Sequence, residues 1–318
     1  MDYITTVNGL LKKELANHSK SVVYGQNINA GSRLGGFAKG LDSIEGCEVI
    51  NTPNVENSLV GMGFGLMLKN IPSVFMMKQQ DFLLLGVDQL VNTWNALKSR
   101  GPFVPFLIAM IVVDNGWEGP QSSFNNTNSL AELSDLKCFI VNGVDISEKA
   151  INQAFSGGPS LLAISQKMFK LESQDLSDIF NKVEKLNYNL YTSKNLATKK
   201  IVIISVNFTA ENCLEISKNA IGIGLNVNLL VFYTNQFKIS ENDLDSFKDA
   251  EVVIVLDDSK STTNRINELF IEITRYVSVD KIKSLVRKDI GDWYVPNVDC
   301  LDYQEVLPIL TNVLKGRK

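Results

Sequence analysis

The chain of 318 residues has a single histidine, His18. Imidazole is the side chain best matched to proton transfer near neutral pH. His18 falls between an amphipathic N-terminal stretch and the first apolar run, where a surface position is expected. Any imidazole needed at a site would therefore come from another chain. Cysteine is sparse too. Cys47, Cys138, Cys213 and Cys300 stand far apart and form no C-x-x-C pair, so metal and dithiol motifs have no support and a reducing, cytoplasmic setting is expected. There is no strong excess of either charge. A formal net charge of −4 leaves no electrostatic case for nucleic acid. The longest apolar run covers only residues 104–113, against the roughly 20 that cross a bilayer. The polar, amphipathic start is expected to be neither a signal peptide nor a membrane anchor. The glycine-rich loop at 31–40 lacks the spacing of a dinucleotide fingerprint.

What is present is an ordinary globular balance, 45% hydrophobic and 21% charged, over a length that suits two domains. Val7, Leu10, Leu11 and Leu15 recur at helical spacing. Apolar runs at 21–25, 48–50, 73–77, 105–113, 139–141 and 161–164 predict strands, with helical stretches at 58–69, 81–97 and 146–156 between them. The polar stretch 188–199 is expected to be a linker. A second set of apolar runs follows at 200–206, 227–232 and 252–256, with helical stretches at 211–223, 259–277 and 303–314. Alternation of this kind predicts an α/β fold of two domains, each with a mostly parallel sheet flanked by helices. The expected divisions are 1–187, the linker 188–199, and 200–318.

Residues 47–82 carry the most information. A β-branched run is followed by the loop Asn51-Thr52-Pro53-Asn54-Val55-Glu56, an apolar helical stretch with Gly61, Gly63 and Gly65, then a second apolar run and Asp81-Phe82. Each glycine inside a helix costs roughly 1 kcal/mol against alanine, so three of them imply another backbone close by. Gly61 and Gly65 share one face. Glu56 stands at the mouth of this helix, where the macrodipole favours a carboxylate whatever its function.

Taken in order, these elements resemble the pyrimidine-binding domain of thiamine diphosphate enzymes. The nearest pattern is that of the β subunit of the first component of 2-oxo acid dehydrogenases, a relative of transketolase. That family shows Asp-Thr-Pro-x-x-Glu, a glycine-rich helix, an Asp-Phe and a later Asp-Gln. Here the counterparts are 51–56, Val60-Gly61-Met62-Gly63, Asp81-Phe82 and Asp88-Gln89-Leu90-Val91-Asn92. The resemblance implies that Glu56 bonds the ring nitrogen of the cofactor's aminopyrimidine, and that Phe82, Val55 and Gln79 border it. It also implies that residues 1–187 form the pyrimidine-binding domain and 200–318 a transketolase C-terminal-like domain that builds a dimer. An aspartate at position 56 would be one methylene short. Phe82 fits an ordinary core position equally well.

The departures from the family pattern matter as much. Gly25-Gln26-Asn27 replaces a Gly-Glu-Asp, and Gln79 and Gln80 stand where another aromatic is usual. Gln121-Ser122-Ser123 replaces a Gln-His-Ser whose histidine serves acyl transfer to lipoamide. Asn125, Asn126 and Asn128 follow, either lining an acceptor pocket or solvated. The Gly-Asp-Gly and later Asn that hold Mg²⁺ in the family have no counterpart; Gly291-Asp292-Trp293 lies in the wrong domain. The resemblance therefore implies half of a thiamine diphosphate site. An α-type subunit would supply the diphosphate and metal grip, in an α2β2 heterotetramer with β–β self-association. The expected chemistry is decarboxylation of a 2-oxo acid or cleavage of a ketol, with transfer to a non-lipoyl acceptor. A dehydrogenase β subunit with an altered loop and a non-catalytic scaffold remain the alternatives.

Overall fold

The computed structural model describes residues 1–114, 125–195, 197–261, 263–286 and 305–316. Gln121, Ser122, Ser123, Gly291, Asp292 and Trp293 lie outside them. The chain divides into two compact units between Ser173 and Gln174.

The first unit opens with helix α1 (Tyr3–Ala16), started by the Asp2 carboxylate accepting from the Thr5 amide. Its Tyr3, Val7, Leu11 and Leu15 are buried, one per turn. Strands β1 (Ser21–Gly25), β2 (Cys47–Asn51), β3 (Ser73–Met77), β4 (Pro105–Val112), β5 (Lys137–Val141) and β6 (Gly158–Ser165) form one sheet in the order β2-β1-β3-β4-β6-β5. Every pairing is parallel. Strands β1, β3 and β4 are buried along their whole length, which explains their unbroken apolar sequences. Helices α2 (Glu56–Leu68), α3 (Trp94–Leu97), α4 (Thr127–Ser134) and α5 (Ser147–Ala154) complete the unit. The strand order reverses direction between β1 and β3. In open parallel sheets, ligands bind outside the carboxyl ends of the strands at such a point.

Residues 81–97 do not form the single helix their composition suggests. They form a 3₁₀ segment (Gln80–Gly86), a π turn (Gln89–Thr93) and the short α3. The cause is close contact with α2. A Cβ on Gly86 would lie 2.8 Å from Val60 Cγ2 and 3.3 Å from the Glu56 carbonyl oxygen. The segment lies flush on the first turn of α2, and packing overrides helical period.

The second unit holds β7 (Phe180–Glu184), β8 (Tyr188–Ser193), β9 (Lys200–Val206), β10 (Asn226–Phe232), β11 (Ala250–Asp257) and β12 (Ile282–Val286), ordered β12-β11-β9-β10-β8-β7. Its helices are α6 (Ala210–Gly222), α7 (Glu241–Asp245), α8 (Asn264–Thr274) and α9 (Val306–Lys315). Strands β9 to β12 pair in parallel, while β8 runs antiparallel to β10 and β7 to β8.

The stretch expected as a linker, 188–199, thus differs from that reading: its first half is β8, a strand inside the second sheet. Its polar residues hid it. The Tyr188 hydroxyl donates to Asp243, and the Ser193 hydroxyl accepts from the Val227 amide at 2.9 Å. Meanwhile the Tyr188 ring packs 5.2 Å from that of Phe232. Both chain units are accordingly α/β with mostly parallel sheets, as expected, but the first compact unit ends at Ser173.

Candidate functional site

The loops after β1, β2 and β3 meet at the switch point of the first sheet. Glu56 begins α2 there, 8% exposed. Its neighbour Val55 has φ −140°, ψ 58° and supplies no side-chain cap, so the helix is turned abruptly inward at the glutamate. The carboxylate makes no hydrogen bond or ion pair among the described residues, yet it lines a narrow recess with about 10 Å³ of room for solvent. Gln26, Pro53, Met77, Lys78 and Phe82 share that recess.

What holds α2 in place is Gly63. A Cβ there would lie 2.1 Å from the Phe106 ring and 2.6 Å from the Tyr24 hydroxyl. Tyr24 donates to the Leu59 carbonyl at 2.9 Å and stacks on Phe75 at 5.2 Å; burial holds its phenol proton far above the usual range. The expected close approach is therefore real, but it falls on Gly63 rather than on the Gly61–Gly65 face. A Cβ on Gly65 would meet nothing within 4 Å, and Leu68 on the same helix is 51% exposed. Helix α2 thus keeps an open apolar face.

A second, larger cavity of about 360 Å³ adjoins the recess. Asn27, Gln79 and Gln166 bring amides to it, and Leu34, Ile111 and Phe169 bring apolar wall. Lys78 lines both spaces. It is exposed and makes no ion pair or hydrogen bond among the described residues. Among the residues lining the two spaces, Glu56 and Lys78 are the charged ones.

The structure groups Glu56 and Phe82 in one recess and puts Gln79 in the neighbouring cavity; Val55 is 44% exposed and lines neither. Gln80, at a position where an aromatic was expected, turns into the core. Its amide donates to Thr127 Oγ1 at 2.5 Å, and its carbonyl accepts from the Asn126 amide at 2.8 Å. It pins the start of α4. Just past the end of β4, Asp114 accepts from Ser165 Oγ at 2.5 Å and from the Lys167 amide at 3.0 Å. Burial raises the Asp114 carboxyl above its ordinary range against those bonds. Sequence reasoning missed both anchors; the Gln at an aromatic position was the available signal.

Asn125 and Asn128 are 2% and 3% exposed, so they are neither solvated nor found lining either space. Asn125 Oδ1 accepts from the Thr127 amide at 3.0 Å, a local turn at the start of α4. Asp88 and Asn92 are exposed and bond each other at 2.7 Å, one turn apart. They buttress no buried loop. His18 lies in the turn before β1, at the opposite end of that strand from the recess. No cluster of three potential metal ligands occurs among the described residues, and no helix there is long and apolar enough to cross a membrane.

A buried carboxylate that lines a recess and has no partner among the described residues suits a neutral ring that donates or shares a proton. An aromatic edge such as Phe82 suits the flank of the same ring. The residue types present therefore suit the aminopyrimidine half of thiamine diphosphate, and among the described residues lining the two spaces Lys78 is the one cation an anion would meet.

Comparisons with known proteins bear on the fold. No protein-family model matches the chain. A curated relative, the 2-oxoisovalerate dehydrogenase subunit beta of Bacillus subtilis (strain 168), is 30% identical over 104 residues, 31% of this chain and 31% of that protein. The matched stretch thus spans under a third of the relative. A solved structure described as a split gene transketolase, inactive beta4 tetramer, superposes with a TM-score of 0.63 at 12% identity, covering 99% of this chain and 98% of that one. The fold is transketolase-like, and both similarities are to β chains, as the motifs imply.

Proposed function

We propose that the chain is the β-type subunit of a two-chain thiamine diphosphate enzyme. It would decarboxylate a 2-oxo acid or cleave a ketol, and pass the acyl or aldehyde unit to a non-lipoyl acceptor. The observation that carries this reading is Glu56, a buried carboxylate without a protein partner among the described residues, set in a recess with Phe82 at the switch point of a parallel sheet.

Bound there, thiamine diphosphate would supply an electron sink for carbanions. Glu56 would hold a proton between its carboxyl oxygen and the ring nitrogen it faces. The recess admits little water beside that proton, which strengthens the bond. Gly63 keeps the helix close to the sheet, and Gly86 lets the following 3₁₀ segment pack on its first turn beside Glu56. Gln80 holds Asn126 and Thr127, and Asp114 holds Ser165 and Lys167; Gln121, Ser122 and Ser123 we assign to the acceptor side. A serine in place of an imidazole supplies no proton donor near neutral pH, which argues against lipoamide as acceptor.

Two partners follow. An α-type subunit would grip the diphosphate and Mg²⁺, and a second copy would cover the open apolar face of α2, giving α2β2. The setting is proposed to be cytoplasmic. In the assembled complex, Glu56→Gln should lower turnover by at least about 100-fold, the scale of a lost acid–base group. Intact turnover in that variant removes the catalytic assignment.

A second reading, a 2-oxo acid dehydrogenase β subunit, is favoured by the 30% identical stretch. Acylation of a lipoyl domain by the complex would select it.

A further inference from the structure

We infer that Lys78 selects a substrate carrying a negative group that persists through the reaction, a second carboxylate or a phosphate remote from the reacting carbonyl. This rests on the function proposed above and names its substrate class. Lys78 follows the last residue of β3 and lines both the Glu56 recess and the 360 Å³ cavity beside it. The cavity has the size of a small-molecule site. An exposed lysine is ordinarily a solvated charge of little consequence. This one differs in place and company. It stands on the boundary between two adjoining spaces, no carboxylate among the described residues pairs with it, and every other described residue lining them apart from Glu56 is uncharged. Gln26 and Asn27, neutral where the family pattern has acids, leave the ammonium without local competition.

The position of the charge restricts which anion it serves. Pairing with a carboxylate that departs as carbon dioxide would stabilise the ground state more than the transition state, and would slow the reaction. An anion that stays on the substrate gains equally in both, so its pairing raises affinity without that loss. The carbonyl end would then point toward Glu56. The remaining carbons would lie in the larger cavity, between the amides of Asn27 and Gln166 and the apolar wall of Leu34, Ile111 and Phe169.

The test uses the complex of this chain with its α-type partner, loaded with thiamine diphosphate and Mg²⁺. Calorimetry and steady-state kinetics would compare 2-oxoglutarate, fructose 6-phosphate and the monocarboxylate 2-oxobutyrate. Wild type should bind one of the first two about 10- to 100-fold more tightly than 2-oxobutyrate, as suits a charge-assisted bond. Which of the two is preferred separates carboxylate from phosphate. Lys78→Gln should abolish the preference through KM with kcat little changed, and Lys78→Arg should retain it. Thermal denaturation of both variants at the wild-type midpoint reports that they are folded. Equal binding of all three probes, or an unchanged preference in Lys78→Gln, overturns the inference while leaving the proposed function standing. A wild-type complex that takes up no thiamine diphosphate overturns both.

Discussion

Two carboxylates of this chain show how differently burial acts on the same functional group. Glu56 is buried, lines a recess and has no partner among the described residues, and it is the group we assign to the cofactor. Asp257, 4% exposed, is buried with its partners already in place: Asn207 Nδ2 at 2.9 Å, the Ser259 amide at 3.0 Å and Ser259 Oγ at 2.7 Å. Desolvation still wins over those bonds and raises its pKa from 3.8. The sign of the consequence follows. A raised folded-state value favours the neutral form in the fold, so its stabilisation is complete below the unfolded pKa and is lost as pH rises through the folded one. Asp257→Asn keeps an oxygen for Asn207 and Ser259 and removes that loss. Relative to wild type, the variant should gain stability from about pH 4 upward, read as a shift in urea midpoint that is larger at pH 7 than at pH 4. An equal shift at both would show that Asp257 does not titrate differently in the fold.

At the scale of the element, α2 concentrates the argument. Its glycines look equivalent in sequence and are not so in space. Gly63→Ala forces a Cβ to 2.1 Å from the Phe106 ring and should cost about 1–3 kcal/mol as an overpacked core. Gly65→Ala enters open space and should stabilise the free chain by roughly 0.5–1 kcal/mol through helix propensity. Chemical denaturation of both variants checks the contrast. If a second copy covers this face, Gly65→Glu should leave the fold intact and lower self-association in sedimentation. The periodicity of 81–97 misled for a related reason: the apolar positions are right, but the segment is pressed onto α2 through Gly86, and its backbone gives way.

For the whole molecule, the chain has a recess for a heterocycle and no identified grip for a diphosphate. Alone, it should show little thermal shift with thiamine diphosphate and Mg²⁺. With its α-type partner, saturation at 100 times Kd should stabilise the assembly by about 2.7 kcal/mol. A full shift in the isolated chain would end the divided-site reading. Among the described residues, Cys47, Cys138 and Cys213 are free thiols, and burial pushes that of Cys213 up to about 12.

The sequence by itself determined the six strands of the first sheet and β9, β10 and β11 of the second, the helix at Glu56 and the loop that carries it, because unbroken apolar runs and their punctuation report local burial directly; β7, β8 and β12, more polar or more exposed, escaped it. It also carried the order of motifs that names the candidate site. Only the tertiary structure decided which glycine is indispensable, that residues 188–193 are a strand, that Gln80 faces the core, and that Lys78 borders two cavities. Those properties depend on which atoms lie across from a residue, and distances between segments far apart in the chain are not encoded in the local pattern of either one.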